Sequence, residues 1–121
     1  MRILGLDYGT KRIGVAISDP EQTVAFPRDI FQNNDLLLGR LKKLITEEKI
    51  VEIVVGWPLS LEGKETGQTR KTGAFIALLE ESLDIPITKM DERWTTAQAD
   101  RSGGDDAVAA QIILQNRLDV V

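Results

Sequence analysis

The opening stretch RILGLDYGTKRIGVAIS, residues 2–18, restricts the fold more than any other part of the chain. Its first residues alternate as a strand does: Leu4, Leu6 and Tyr8 point one way, and Ile3, Gly5 and Asp7 the other. YGTKR follows as a turn, with Gly9 expected at positive φ. IGVAIS then returns as a second strand and completes a hairpin. TVAFPRDIF reads as a third, weaker strand, in which Pro27 suits an edge position or the strand's end.

Beyond the hairpin the pattern changes period. Residues 35–48 predict an amphipathic helix with Leu37, Leu41, Leu44 and Ile45 on one face and Asp35 near its N-terminus, where a negative charge is favoured. IVEIVVG is a short β-branched run of the kind found in buried central strands. WPLSLEGKETGQ is a loop marked by Pro58, Gly63 and Gly67. A second helix is expected over 68–82, with Phe75, Leu78 and Leu79 inward. IPITKM reads as another strand, TTAQAD as a helical turn capped by a threonine, and the residues after SGG as a last helix with Val108, Ile112 and Leu118 among its apolar positions. The order β-β-β-α-β-α-β-α predicts one α/β domain over residues 1–121. Its sheet would be mixed, with three antiparallel strands first and parallel strands on helical crossovers after them.

Composition narrows the chemistry. A chain of 121 residues builds one real core, and 42% hydrophobic with 28% charged residues is the balance of a soluble protein. No apolar run approaches the roughly 20 residues that span a bilayer. The N-terminus enters a strand pattern without a leader-like sequence, so a cytoplasmic location is expected, with no membrane partner. There is no cysteine and no histidine. Disulfides, thiolate metal sites, imidazole metal sites and Ser-His-Asp triads are all excluded. Any metal would be held by oxygen ligands, which favours Mg²⁺ or Mn²⁺. A net charge of −4 is unlike a dedicated duplex-binding protein, although a local basic cluster or a bound cation can supply the attraction.

The carboxylates are the remaining candidates. Asp7 closes the first strand, where ligand sites of α/β sheets collect, and its same-face neighbour Gly5 leaves room beside it. KMDERWTT puts Asp91 and Glu92 past another strand end, beside Arg93. GGDDAVAAQ puts Asp105 and Asp106 at the start of the last helix. Each has an ordinary structural role: a solvated turn aspartate, a surface ion pair, a helix N-cap. Together, in a chain without histidine, they form a set that converging elements would bring to one point. Two divalent ions about 4 Å apart on such a set activate a water and stabilise the leaving oxygen of a phosphodiester.

LGLDYGTKRIGVAISD, VVGWPLSLEGKET, DERWTTAQA and DDAVAAQIILQ, in that order and over most of the chain, resemble the YqgF (RuvX-type) family. The resemblance implies an RNase H-like fold, similar to RuvC-type Holliday junction resolvases. It implies a nuclease, with pre-16S rRNA end processing in ribosome biogenesis or four-way DNA as its task. It implies Asp7, Glu92 and Asp106 as the catalytic, metal-holding triad, with Asp105 one position out of register. The implied cofactor is Mg²⁺ or Mn²⁺, and the implied reaction is in-line attack by a metal-activated water, giving a 5′-phosphate and a 3′-hydroxyl. Gly9, Thr10, Lys11, Gly14, Gly56, Pro58 and Arg93 also stand at matching positions, and Thr10, Lys11 and Arg93 are the implied substrate contacts, Lys11 as a point charge on a phosphate. One departure concerns the segment before the last helix, which is longer and often basic in the family and here is only TTAQADRSGGD.

Other basic residues, Arg40, Lys42, Lys43, Lys64, Arg70 and Lys71, read as solvated faces or as flanks of a phosphate path. Trp57 and Trp94 read as core or rim packing ahead of base stacking. Two further function classes are carried forward. DYGTKRIGVA also resembles the phosphate-binding hairpin of the actin/sugar-kinase superfamily, whose members use two such domains. A non-catalytic member that binds RNA or a protein would fit the short segment and the acidic net charge. The sequence leaves monomer and dimer open.

Overall fold

The computed structural model describes residues 1–91 and 105–120. Three strands come first: β1 (Arg2–Asp7), β2 (Arg12–Ser18) and β3 (Ala25–Gln32). They are followed by α1 (Leu37–Glu47), β4 (Ile50–Trp57), α2 (Gly67–Ser82), β5 (Ile87–Asp91) and α3 (Asp106–Leu118). One five-stranded sheet has the order β3-β2-β1-β4-β5. β2 is antiparallel to both β1 and β3, whereas β4 is parallel to β1 and β5 parallel to β4. The mixed sheet expected from the element order is therefore the one observed. Among the described residues no helix is long and apolar enough to cross a membrane.

β1 is the middle strand, and its residues from Ile3 to Asp7 are all buried because both faces of the sheet are covered. Leu4, Leu6, Ile13, Val15 and Val55 pack against Leu37, Leu41, Leu44, Phe75 and Leu79 of α1 and α2. Ile3, Ala16, Ala25 and Val54 pack against Ala110, Ile113 and Leu114 of α3. The alternation of β1 thus sorts its side chains between two cores, as read from the sequence.

Details depart from expectation where packing decides them. Pro27 lies on β3, an edge strand, at a register shift that leaves Arg28 unpaired between Pro27 and Asp29. Gly9 does not have positive φ; among the described glycines only Gly63 does, at 83°. Gly9 answers a different constraint, since a Cβ there would stand 2.5 Å from the Arg12 carbonyl oxygen. Leu78 is exposed, and Ile76 takes the inward place with Phe75 and Leu79. α2 begins at a capping box in which Thr66 and Thr69 satisfy each other's backbone N–H groups. In α3 the buried positions are Ala107, Ala109, Ala110, Ile113 and Leu114, whereas Val108, Ile112 and Leu118 are only partly buried. That helix is apolar around most of its circumference, so periodicity alone cannot choose its inner face; the small residues turn inward because the helix lies close to the sheet.

Candidate active site

The close approach of α3 to the sheet builds the site. Gly5 on β1 and Gly14 on β2 leave the surface under the helix without side chains. A Cβ on Gly5 would stand 2.7 Å from the Leu114 Cβ. A Cβ on Gly14 would stand 1.9 Å from the Asp106 carbonyl oxygen and 2.4 Å from its carbonyl carbon. The space that Gly5 was expected to leave beside Asp7 is filled by α3 itself.

Gly14 is the cross-strand partner of Asp7. Residues directly opposite share a face, so Asp7 is on the α3 side of the sheet, next to the position on which Asp106 rests. Asp7 is 5% exposed, an unusual burial for a carboxylate. Asp106 is the first residue of α3, with its side chain 32% exposed, in the first turn where negative charge is favoured by the helix dipole. Asp105 has a different task. It is the N-cap, and its side chain accepts a 2.7 Å hydrogen bond from the Ala107 N–H. Of the two adjacent acids, one closes the helix end and the other faces β2.

Arg12 was not among the residues singled out from sequence. Its Nε donates to Asp106 Oδ2 at 3.0 Å, joining residues 94 apart in the chain. The signal was present in the alternation: Arg12, Gly14 and Ala16 share one face of β2, the face that carries α3. Nothing in the sequence alone said that the helix would begin over Gly14.

The hairpin turn is held from β3. The Asn33 N–H donates to the Lys11 carbonyl at 2.9 Å, and Asn33 Nδ2 donates to the Gly9 carbonyl at 2.9 Å. Thr10 and Lys11 are exposed on this anchored turn. Because β1, β4 and β5 are parallel, Asp7, Trp57 and Asp91 end at one edge of the sheet, where β2 and α3 begin. The 58–66 connection and the start of α2 leave from that edge and carry exposed Lys64 and Arg70. Trp57 packs against Gly73 of α2, with Cη2 3.4 Å from the Cβ position, and carries Lys89 Nζ 4.2 Å from its ring centroid. On the other face, a cleft of about 440 Å³ between α1 and α2 is lined by Tyr8, Phe75, Leu37, Leu41, Asn34 and Lys71. Asp7 and Asp106 are not among its walls.

Glu92 and Arg93 lie outside the described residues, as do Trp94 and the TTAQAD turn. Among the described residues no group of three or more histidine, cysteine, aspartate or glutamate side chains gathers as a metal site. Asp7 and Asp106, at neighbouring positions on either side of Gly14, offer only oxygen donors, which is the chemistry of Mg²⁺ and Mn²⁺ rather than of zinc or copper.

Comparison with known proteins bears on the family and the fold. Residues 1–120 match the family described as RuvX, Holliday junction resolvase. A protein of Maridesulfovibrio salexigens named "Putative pre-16S rRNA nuclease" is 39% identical over 132 aligned positions, covering 98% of this chain and 98% of that protein. One of the same name from Dictyoglomus turgidum is 40% identical, covering 98% and 94%. The solved structure of RuvC from Thermus thermophilus superposes with a TM-score of 0.61 at 12% identity, covering 98% of this chain and 94% of that one, which establishes the shared RNase H-like fold. The match along nearly the whole sequence, on a mixed sheet of the same fold, makes this chain a member of the RuvX family.

Proposed function

We propose that this protein is a metal-dependent endonuclease that hydrolyses phosphodiester bonds in structured nucleic acid, and that its substrate is the unprocessed end of pre-16S rRNA in the cytoplasm. Asp7, Glu92 and Asp106 would hold Mg²⁺ or Mn²⁺. The observation that carries the reading is the placing of buried Asp7 opposite Gly14, on which the first residue of α3, Asp106, is packed, beside the exposed Lys11 turn. When bound, divalent ions neutralise charge on the scissile phosphate and ease deprotonation of the attacking water. The chain's own residues do the rest. β1 fixes Asp7 rigidly between two paired strands, and the Asp105 cap fixes the first turn of α3 and with it Asp106. Lys11 and Thr10 sit on the anchored hairpin turn, and Arg70 lies along the same edge, with Lys64 between exposed Glu62 and Glu65; local cations such as Lys11 are what would attract phosphates to a protein of net charge −4. The relatives' name supports the RNA substrate.

A second reading, resolution of four-way DNA junctions, is favoured by the family description. The alignment with the Maridesulfovibrio relative runs over 132 positions against 121 residues here, so that protein has residues this chain lacks. The test offers an rRNA-precursor fragment and a four-way DNA junction side by side with Mn²⁺ or Mg²⁺. Cleavage of the RNA that requires metal and disappears in Asp7→Asn supports the proposal. Preferential cleavage of the junction replaces it with the second reading. Cleavage of neither by folded protein, at any metal concentration, leaves a non-catalytic binding member.

A further inference from the structure

Arg12 stands where the proposed metal site must have one of its ligands. Its Nε donates to Asp106 Oδ2 at 3.0 Å, with the side chains 54% and 32% exposed. A carboxylate oxygen engaged by a guanidinium cannot offer the same lone pair to a divalent ion. The guanidinium is also a fixed positive charge, since arginine does not deprotonate at accessible pH. We infer that Arg12 is a positioning residue that competes with the divalent ion for Asp106 and thereby sets the metal affinity of the site. The inference rests on the proposed function above.

The surroundings permit only the side chain to move. The Arg12 backbone pairs with Gln32 on β3, and its carbonyl oxygen lies against Gly9. The preceding Lys11 carbonyl is held by the Asn33 N–H. Asp106 is equally constrained, with its carbonyl group packed on Gly14 and the adjacent Asp105 tied to Ala107. Two fixed backbones and one long, exposed side chain make a pair that opens without rearrangement of the fold. When the pair is open, Arg12 is left beside the site with all its donors available to a phosphate oxygen.

The test is a Mn²⁺ titration followed by electron paramagnetic resonance, with no nucleic acid present. It compares the wild type with Arg12→Gln, Arg12→Lys, Asp106→Asn and the double variant. An exposed ion pair of this kind predicts Mn²⁺ binding about two- to five-fold tighter in Arg12→Gln. Arg12→Lys, which keeps the charge without the planar fork, falls between it and the wild type. In the Asp106→Asn background the Arg12→Gln gain vanishes, because the competed oxygen is gone. The gain also shrinks at high ionic strength. Unchanged or weaker Mn²⁺ binding in Arg12→Gln overturns the inference, and so does a gain that persists in full without Asp106, which would mark a general charge effect. If Asp106→Asn itself leaves Mn²⁺ binding unchanged, the ligand assignment fails first, and that outcome is distinct from the other two.

Discussion

Replacing Gly14 by alanine tests the geometry on which the site depends. The added Cβ would be 1.9 Å from the Asp106 carbonyl oxygen, 2.4 Å from its carbon and 3.1 Å from the Ala107 nitrogen. All three are backbone atoms, so no side chain can rotate out of the way. Restoring ordinary contact requires the first turn of α3 to lift by about 1.5 Å from β2. Overpacking of this kind costs about 1–3 kcal/mol, and the lower entropy of the unfolded alanine chain returns about 0.4–1 kcal/mol. With backbone on both sides of the clash, we expect a net loss of about 2 kcal/mol. Displacing the Asp106 carboxylate by more than 1 Å is expected to lower nuclease activity about 100-fold. Urea unfolding followed by tryptophan fluorescence reads the first effect, and the cleavage assay the second. Gly39→Ala is the control. Gly39 is exposed within α1 and nothing lies within 4 Å of its Cβ position, so this change should stabilise by about 0.5–1 kcal/mol and leave activity alone. If Gly14→Ala is as stable as wild type and cuts at the wild-type rate, α3 does not rest on Gly14 as described, and the convergence of Asp7 with Asp106 loses its basis.

Other expectations follow from single contacts. Asp105→Ala removes the cap on the Ala107 N–H and should cost about 1 kcal/mol in urea unfolding, while Mn²⁺ affinity changes less than in Asp106→Asn. Leu79→Ala empties a fully buried position between α2 and the sheet and should cost about 2–5 kcal/mol by the same measurement. Asp19 accepts hydrogen bonds from the Thr23 hydroxyl at 2.6 Å, the Thr23 N–H at 2.7 Å and the Val24 N–H at 3.1 Å. The Thr23 hydroxyl above all, then the two N–H groups, hold its carboxyl below the usual aspartate value. A carboxyl depressed in the folded state stabilises above its unfolded pKa and loses that contribution as pH falls through the folded value. Stability in the acid range should therefore fall less steeply with pH in Asp19→Ala than in wild type. An identical acid slope in the two proteins would refute the assignment.

Local patterns carried the elements well. Alternation in residues 2–8 divided Leu4 and Leu6 from Ile3 and Gly5, and the structure puts those pairs in two different cores. Such a pattern is legible because strand geometry allows each residue only two directions. Pro27 marked an edge position or a strand end for an equally local reason, the missing N–H donor, and the structure puts it within an edge strand. Asp7 was legible as a candidate because a carboxylate at the end of an apolar strand is costly without a use. Absence of histidine and cysteine restricted the metal chemistry to oxygen donors before any fold was known.

What the sequence could not show was which carboxylate of the Asp105–Asp106 pair faces the sheet, or that Arg12 meets it. Both depend on the depth and register at which α3 settles on β1 and β2. That register comes from contacts across some ninety residues, where Gly5 and Gly14 remove the side chains that would otherwise hold the helix away. Alternating apolar residues and residue chemistry determined, on their own, the strands, the helices and an oxygen-only candidate site. Only tertiary packing decided that the first-strand aspartate, the last-helix aspartate and the hairpin arginine come together, because close approach between distant segments leaves no local pattern in the chain.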